Sequence, residues 1–386
     1  MGKRKKSHVG YSGALNPAIV ILTCSVALTV LGITILFSAS LPVDADAPYR
    51  IIEKQAIWIG ITAFVGLLIL KVDLEWARKF VWTGYVLCAL ALAAVLIPGV
   101  GHFVNGSRSW IRIGPVGFQT AEFAKIGMVF FVAHYFSSIR KENGAFIKGF
   151  IYPCLGIGLY IGLIILQPDL GTALIFSVVA VCLLYMAGVK LYYLLPSVTL
   201  GFTAIVALVY HDTERWSRLT SHMNMEAEKA GDAYQVWQAL LAFGAGGIDG
   251  VGLGSGRQQL SFLPEAHTDF ILAIIGEELG LVATLGVLVV YAVMFIAGFV
   301  HVRKAPNTYQ YLLAAGCVLM IGVQSLINLG VVTGVLPTTG LPLPFISYGG
   351  SNFLVMGICV AILVNTSIAW RSPLLQQSKR TLKELD

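Results

Sequence analysis

The sequence predicts an all-α polytopic membrane protein, folded as a bundle of about ten transmembrane helices with one large outer loop. The chain of 386 residues is 57% hydrophobic and only 12% charged, whereas a soluble domain carries roughly 25% charged residues. Its apolar residues also fall into blocks of about 20, the length of helix that crosses roughly 30 Å of hydrocarbon. A transmembrane barrel is excluded, because alternating segments of about ten residues do not occur.

Ten apolar blocks follow one another along the chain, and most connections between them are short, which favours one compact bundle. The predicted spans are 17–40, 55–72, 80–98, 120–138, 147–166, 170–189, 191–211, 270–300, 309–335 and 351–370. The first block is too long for the apolar part of a cleaved secretory signal, so it is predicted to remain as an anchor.

Basic residues lie mostly on one side of the predicted membrane. With the N-terminal tail, 1–16, in the cytoplasm, the membrane domain 17–370 returns the C-terminal tail, 371–386, to the same side. Most of the 26 basic residues then face the cytoplasm, as the positive-inside rule requires. The net charge of +6 therefore indicates topology and not a nucleic-acid partner. The cytoplasmic basic residues are Lys3, Arg4, Lys5, Lys6, Lys71, Arg78, Lys79, Arg140, Lys141, Lys148, Lys190, Arg303, Lys304, Arg371, Lys379, Arg380 and Lys383.

The six cysteines indicate neither a disulfide nor a metal cluster. All lie inside apolar blocks, and none has the spacing of a metal-binding set. His267 also lacks such a set around it and is interpreted as a polar neighbour of the site. No protein-bound metal is predicted.

The longest connection, 211–268, is predicted to lie outside the membrane. It carries many charged residues together with apolar ones, so part of it is expected to form short helices on the membrane surface. Its glycine-rich stretch, 244–256, contains G-x-G-L-G-x-G. No strand is predicted before it, so flexible turns are favoured over a dinucleotide site.

Two other outer connections differ from simple turns. The connection 99–119 carries Arg112, and the connection 336–350 contains three prolines and three glycines together with Ser347. The second cannot form a regular helix. It is predicted to dip into the outer half of the bundle, where protein or water must satisfy its backbone; a rigid turn is the alternative.

Ionisable residues at the apolar blocks are the strongest sign of a site, because burying a charge is costly. Glu122 and Lys125 share a helix face and either serve a substrate or form a structural ion pair. Asp169, in Q-P-D-L-G-T, is either a site residue or a helix cap. Asp269, in P-E-A-H-T-D-F-I, is either a site residue or an N-terminal residue stabilised by the helix dipole.

Glu277 and Glu278 follow about 12 Å deeper in the eighth block. They are either polar contacts inside the bundle or part of a midplane site. The other unusual features cluster on the outer half, where carboxylates and cations together suit a lipid substrate that bears phosphate. Cations can hold a diphosphate, and a carboxylate can accept a proton from an attacking hydroxyl.

Four long segments resemble one family. They are 106–125 (G-S-R-S-W-I-R-I-G-P-V-G-F-Q-T-A-E-F-A-K), 167–173 (Q-P-D-L-G-T-A), 250–280 (ending F-L-P-E-A-H-T-D-F-I-L-A-I-I-G-E-E-L-G) and 328–351 (ending P-T-T-G-L-P-L-P-F-I-S-Y-G-G-S). With these motifs the chain resembles the SEDS proteins (shape, elongation, division and sporulation), which polymerise peptidoglycan. P-E-A-H-T-D-F with A-I-I-G-E-E-L-G looks like the FtsW division branch more than the RodA elongation branch. Thr120 and Thr339 depart from the Pro and Lys usual in the family, and the second departure removes one outer cation.

The resemblance implies a peptidoglycan glycosyltransferase that polymerises lipid II into β-1,4 glycan strands with inversion. Asp269 matches the family's catalytic aspartate and is expected to act as general base. Glu122, Lys125 and Asp169 match positions around the family's substrate cavity. Lys125 and Arg112 are expected to hold diphosphate.

The same motifs place His267 and Ser347 among the expected substrate-binding residues. The substrate would be lipid II carried on undecaprenyl diphosphate, and a divalent cation, Mg²⁺ or Mn²⁺, is a candidate helper. The implied partners are membrane lipid, a class B penicillin-binding protein with transpeptidase activity, and divisome regulators. The implied location is the bacterial cytoplasmic membrane, at the division septum.

Two other classes of function remain open from sequence. A lipid II flippase would fit broken helices and intramembrane charges, with Glu277 and Glu278 near the midplane. A non-catalytic division scaffold would tolerate Asp269→Asn, whereas a polymerase would not.

Overall fold

The computed structural model describes residues 16–40, 49–104, 106–114, 116–139, 142–229, 231, 233–258, 263–264 and 266–370. The predicted tails, 1–16 and 371–386, lie outside the described residues except for Asn16, as do Arg140 and Lys141. Within the described part, the prediction of a mainly helical membrane protein is confirmed. Eight helical stretches there are long and apolar enough to span a membrane.

The ten predicted blocks correspond to ten helical stretches among the described residues. The thirteen α-helices of that part are α1 Pro17–Ser40, α2 Arg50–Lys71, α3 Leu74–Ala77, α4 Val81–Ala94, α5 Thr120–Ser138, α6 Tyr152–Ile165, α7 Leu170–Met186, α8 Leu191–His211, α9 Thr213–Met223, α10 Tyr234–Gly246, α11 Ile271–Val302, α12 Thr308–Val332 and α13 Gly350–Ala369. A 3-10 turn joins α3 to α4, and a π-helical turn, Phe146–Ile151, leads into α6. Helix α2 starts at Arg50 rather than at residue 55, because the polar residues of its first turns lie beyond the apolar block.

The starts of α2, α5, α7 and α13 and the described residues just before α11 line one cavity, and this end of the bundle is called here the loop end. The connection before α5 forms a three-stranded antiparallel sheet, β1 Gly101–Val104, β2 Ser107–Ile113 and β3 Val116–Gln119, in the order β1-β2-β3. Trp110 pairs with Gln119 across β2 and β3. The sequence indicated only a loop here, because such short strands give a weak pattern.

The bundle is centred on α12 and α13, which pack against α5, α7, α11 and α2. Leu312, Leu313 and Ala314 of α12 and Val355 and Met356 of α13 are fully buried. Helix α8 lies at the periphery, since Leu194 is its one buried residue.

The proline- and glycine-rich connection between α12 and α13 packs inside the bundle, as predicted. Its Leu343 and Ile346 are buried. Asn328 of α12 donates to the carbonyl of Leu341 at 2.7 Å, and Gln324 donates to the carbonyl of Pro342 at 2.8 Å. These side chains supply the hydrogen bonds that a non-helical backbone needs inside a membrane protein.

The long connection between α8 and α11 contains the two short helices α9 and α10, in agreement with the sequence. Helix α10 packs against α11 with Val236, Ala239 and Ala242 buried. The approach is so close that a Cβ on Gly246 would lie 2.0 Å from the carbonyl oxygen of Gly276. This fit fixes α10 on the first turns of α11.

Candidate functional site

A cavity of about 2310 Å³ opens at the loop end of the bundle. Its upper part is bordered by the start of α2, the sheet, the starts of α5 and α7, and the segment before α11. It continues between α6, α7 and α8. The cavity therefore joins a charged chamber to an apolar cleft.

Asp269 lies in the charged chamber, at the end of the segment that leads into α11. It is 7% exposed and lines the cavity. Thr268 Oγ1 donates to its Oδ1 at 2.8 Å, and Asn328 donates to its backbone carbonyl at 2.8 Å. The carboxylate thus lies at the cavity surface, and Asn328 of α12 holds the backbone of Asp269 in place.

Glu122 and Lys125 of α5 form a buried ion pair, with Lys125 Nζ 2.8 Å from Glu122 Oε1. Lys125 also donates to Gln324 Oε1 at 2.8 Å, and Asn352 donates to Glu122 Oε2 at 3.0 Å. Glu122 lines the cavity, whereas Lys125 is not among the lining residues. The two expected site residues therefore differ in position: Glu122 borders the cavity, whereas Lys125 points into the protein behind it.

Asp169 caps α7 and also lines the cavity. Its carboxylate accepts from the backbone N–H of Thr172 at 3.0 Å, from Thr172 Oγ1 at 2.9 Å and from Gln119 Nε2 at 3.1 Å. Burial raises the pKa of Asp169, and the hydrogen bonds from Thr172 oppose that rise. Asp169 therefore caps α7 and lines the cavity with the same carboxylate.

The other three expected site residues take different positions. Arg112 of β2 is exposed and His267 is half-buried, and both line the cavity. Ser347 is buried, is not among the lining residues, and accepts from the backbone N–H of Leu343 at 2.8 Å. Ser347 therefore shapes the connection between α12 and α13.

Besides Arg215 and Arg218 of α9, two further cations that were not predicted as site residues line the cavity, Arg50 and Lys54 on the first turns of α2. Their spacing of four residues puts both on one helix face. Arg50 lies near Tyr348: burial raises the pKa of that phenol, and the Arg50 charge partly offsets the rise. Tyr348 in turn donates its backbone N–H to the carbonyl of His267 at 3.0 Å. The signal in the sequence was a pair of basic residues just outside an apolar block.

The lower part of the cavity is an apolar cleft. Leu174, Val178 and Val181 of α7 face it from one side, and Phe202 and Val206 of α8 from the other. Since α8 is sparsely packed against the bundle, the cleft borders the membrane. It suits an alkyl or prenyl chain and not a polar solute.

Glu277 and Glu278 are buried in α11 but are not among the residues that line the cavity. Both accept hydrogen bonds from the backbone of residues 247–258, called here the glycine-rich segment, so they make polar contacts inside the bundle. Among the described residues, no group of three or more His, Cys, Asp and Glu side chains is arranged to hold a metal ion.

Together, the fold and the cavity define a polytopic membrane protein whose cavity joins a charged chamber to an apolar cleft. A family model described as "Cell cycle protein", covering FtsW, RodA and SpoVE, matches residues 18–371. The chain belongs to this family, which confirms the resemblance drawn from its motifs.

Individual relatives agree with this assignment. The chain is 36% identical to stage V sporulation protein E of Bacillus subtilis, over 91% of this chain and 97% of that protein. It is 35% identical to a Coxiella burnetii protein named a probable peptidoglycan glycosyltransferase FtsW, over 96% of this chain and 99% of that protein.

Solved structures show the same fold. The rod shape determining protein RodA of Thermus thermophilus matches with a TM-score of 0.67 and 27% identity, over 89% of this chain and 96% of that one. A chain of a peptidoglycan synthase complex, described as coordinating polymerization and crosslinking, matches with a TM-score of 0.70 and 24% identity over the same shares.

Proposed function

We propose that this protein is a peptidoglycan glycosyltransferase that polymerises lipid II during cell division. The observation that carries the proposal is the cavity, which joins Asp269 and several cations to an apolar cleft at the membrane. A substrate with a disaccharide, a diphosphate and a prenyl chain matches these parts in order. The names of the FtsW relatives support the same activity.

In the proposed reaction, Asp269 acts as general base. It takes the proton from the 4-hydroxyl of the acceptor's N-acetylglucosamine as that oxygen attacks the anomeric carbon of the donor strand. The bond between that carbon and the diphosphate oxygen breaks, and undecaprenyl diphosphate leaves with the electron pair. Attack opposite the α-linked leaving group gives a β-1,4 bond, so the reaction inverts.

We assign the diphosphate to Arg50, Lys54 and Arg112, three of the five Lys and Arg side chains among the described residues that line the cavity. The other two, Arg215 and Arg218, lie on α9, and Arg215 is paired with Asp212 at 3.1 Å. Cations at the leaving group stabilise the charge that develops there. Lys125 acts indirectly in this scheme, since its ammonium is held by Glu122 and Gln324. It fixes Glu122 at the cavity wall next to the sugar.

A divalent cation is proposed to enter with the diphosphate and not through a dedicated set of protein ligands. Mg²⁺ is commonly held by substrate phosphates and one or two carboxylates. Glu122, Asp169 and Asp269 all line the cavity and supply such carboxylates. Titration of the polymerisation rate with Mg²⁺ and with Mn²⁺ after chelation tests this role.

The proposed location is the bacterial cytoplasmic membrane at the division septum, with both termini in the cytoplasm. Basic residues at the end opposite the loop end support this orientation by the positive-inside rule: Lys71, Arg78, Lys79, Lys148, Lys190, Arg303 and Lys304. A class B penicillin-binding protein is the proposed partner, because polymerisation and crosslinking must act on the same strand. Divisome regulators are proposed to control the pair.

The flippase alternative loses the observation that favoured it. It required charged residues at a midplane site, and Glu277 and Glu278 are instead occupied by hydrogen bonds from the glycine-rich segment. The charged residues of the cavity gather at its loop end.

The deciding experiment is polymerisation of labelled lipid II by the purified protein with its transpeptidase partner. Asp269→Asn should lower the rate by about 10²–10⁴-fold, the usual contribution of a general base. The matched control is Asp73→Asn, since Asp73 caps α3 with an exposed side chain and does not line the cavity. If a folded Asp269→Asn protein polymerises at the wild-type rate, Asp269 is not the general base. If the wild-type protein only moves lipid II across vesicle membranes, the protein is not a polymerase.

A further inference from the structure

Glu277 is a buried carboxylate for which the proposed reaction has no use. It is 2% exposed in α11 and is not among the residues that line the cavity. Among the described residues, no Lys, Arg or His forms an ion pair with it. Burying an unpaired carboxylate is costly unless several donors converge on it. Its hydrogen bonds therefore indicate its role.

The donors come from the glycine-rich segment that follows α10. Glu277 Oε1 accepts from the backbone N–H of Arg257 at 2.8 Å, and Oε2 accepts from the backbone N–H of Gln258 at 3.2 Å. A Cβ on Gly256 would lie 3.0 Å from Oε2, so the backbone approaches the carboxylate as closely as a glycine allows. Both oxygens of Glu277 are thus engaged by consecutive backbone amides.

A break in α11 lets the same segment pair with the helix backbone. Gly280 has φ 75° and ψ −172°, so the regular hydrogen bonds of the helix stop there. The N–H of Val251 donates to the carbonyl of Glu277 at 2.9 Å, and the N–H of Leu281 donates to the carbonyl of Gly247 at 2.9 Å. The segment therefore enters along the break and reaches Glu277 in a fixed register.

Asp269 lies at the start of α11, eleven residues after Gln258. The N–H of Leu263 donates to the carbonyl of Gln258 at 2.9 Å. The backbone that Glu277 holds is thus bonded to Leu263, six residues before Asp269.

We propose that Glu277 is a positioning residue for Asp269. By holding the backbone of Arg257 and Gln258, to which Leu263 is bonded, it acts together with Asn328 and Tyr348 to fix where His267, Thr268 and Asp269 stand in the cavity. This inference rests on the proposed function. Glu277 exchanges no proton with substrate and acts through the segment that it holds. Catalytic groups must be held closely, since an error of about 1 Å can lower a rate by about 10²-fold.

The neighbouring glutamate provides a matched control. Glu278 is 1% exposed, and its Oε1 accepts from Ser38 Oγ at 2.6 Å and from the N–H of Gly254 at 3.1 Å. Its Oε2 is buried and accepts no hydrogen bond from the described residues. The backbone N–H of Gly256 also donates to this carboxylate. An amide at position 278 can therefore place its NH₂ where Oε2 lies and keep the contacts of Oε1 with Ser38 and Gly254. An amide at position 277 keeps the Oε1 contacts with the N–H groups of Arg257 and Gln258 at 2.8 and 3.3 Å. It also sets an NH₂ against the Gln258 N–H that donates to Oε2 at 3.2 Å, so two donors face each other there.

The experiment compares Glu277→Gln with Glu278→Gln in the lipid II polymerisation assay, using the full chain with its partner. The kcat of Glu277→Gln is expected to fall by about 10- to 100-fold, with KM and the normalised pH–rate profile unchanged, because neither substrate contacts nor the base change. Glu278→Gln is expected to stay within about twofold of wild type. Glu277→Asp keeps the charge but shortens its reach and should be intermediate, and thermal unfolding is measured for every variant.

Several results would overturn the proposal. One is a folded Glu277→Gln protein at the wild-type rate, another is an equal loss in both amide variants, and a third is a shifted pH–rate profile in Glu277→Gln. If Glu277→Gln does not fold, the polymerisation rate of the folded Glu277→Asp protein is the test. A wild-type rate in Glu277→Asp would then contradict the positioning role. A wild type that makes no glycan rejects the proposed function itself, and the positioning role falls with it.

Discussion

Lys125 reaches Glu122 at 2.8 Å inside the bundle, and the two side chains are 0% and 2% exposed. Gln324 and Asn352 complete the shell of polar partners. In the proposed reaction Lys125 therefore stabilises a carboxylate at the cavity wall and does not contact the diphosphate. Breaking such a pair by removing one partner is strongly destabilising, because the other charge stays buried alone.

Lys125→Met should lower the free energy of unfolding by about 3–5 kcal/mol, the usual effect of an uncompensated buried charge. The double variant Lys125→Met with Glu122→Gln should recover part of that loss, because no bare charge remains. Thermal unfolding in detergent of the two single variants and the double variant measures the coupling. Additive losses would show that the two side chains do not act as a pair.

Arg50 and Lys54 are expected to hold the substrate's diphosphate from the first turns of α2. Replacing both with alanine should raise KM for lipid II by about tenfold or more, since a charge-assisted hydrogen bond is worth about 1.5–3 kcal/mol. Steady-state polymerisation over a range of lipid II concentrations measures this effect. Lys79→Ala is the control, because Lys79 is exposed at the opposite end of the bundle. An unchanged KM in the double variant would assign the diphosphate to other cations of the chamber.

Gly350 allows Trp58 to pack at the cavity wall. A Cβ at position 350 would lie 2.0 Å from Trp58 Nε1, and Trp58 in turn packs edge-on against Phe118 of β3. Gly350→Ala should lower the free energy of unfolding by about 1–3 kcal/mol, as overpacking does, and should also slow polymerisation by moving Trp58.

Gly60→Ala is the matched control on α2, because a Cβ there meets nothing within 4 Å. It should leave stability unchanged or raise it by up to about 1 kcal/mol, since alanine favours a helix. Thermal unfolding of both variants tests the contrast. Equal effects at the two glycines would contradict the packing at Trp58.

The sequence predicted the spans well because each needs a long apolar run, and it predicted the packed connection before α13 from its prolines and glycines. It could not show that Lys125 faces the interior, since a spacing of three residues is the same whether a pair lines a cavity or lies behind its wall. It missed Arg50 and Lys54 because polar first turns lie outside an apolar block. It also left Glu277 and Glu278 open, since their partners are backbone amides of a distant segment, which no side-chain pattern reveals.

Asp169 should make stability depend on pH, because burial raises the pKa of this carboxyl in the folded protein. In the unfolded chain an aspartate titrates near about 3.9. The folded state therefore holds the proton more tightly. The stability associated with that proton is fully present below the unfolded pKa and is lost as the pH rises through the folded pKa.

Asp169→Asn removes this titration and keeps an oxygen that can accept from the Thr172 N–H, since asparagine is also a good N-cap. The midpoint of thermal unfolding of Asp169→Asn, relative to wild type, should therefore increase as the pH is raised from about 4 toward neutrality. Taking the difference between the two proteins at each pH cancels the other titrating groups. Loss of the contact from Gln119 Nε2 to the charged oxygen would lower the midpoint of the variant by an amount that does not vary with pH. A difference that stays constant or falls with rising pH would mean that hydrogen bonds from Thr172 and Gln119 outweigh burial at this carboxylate.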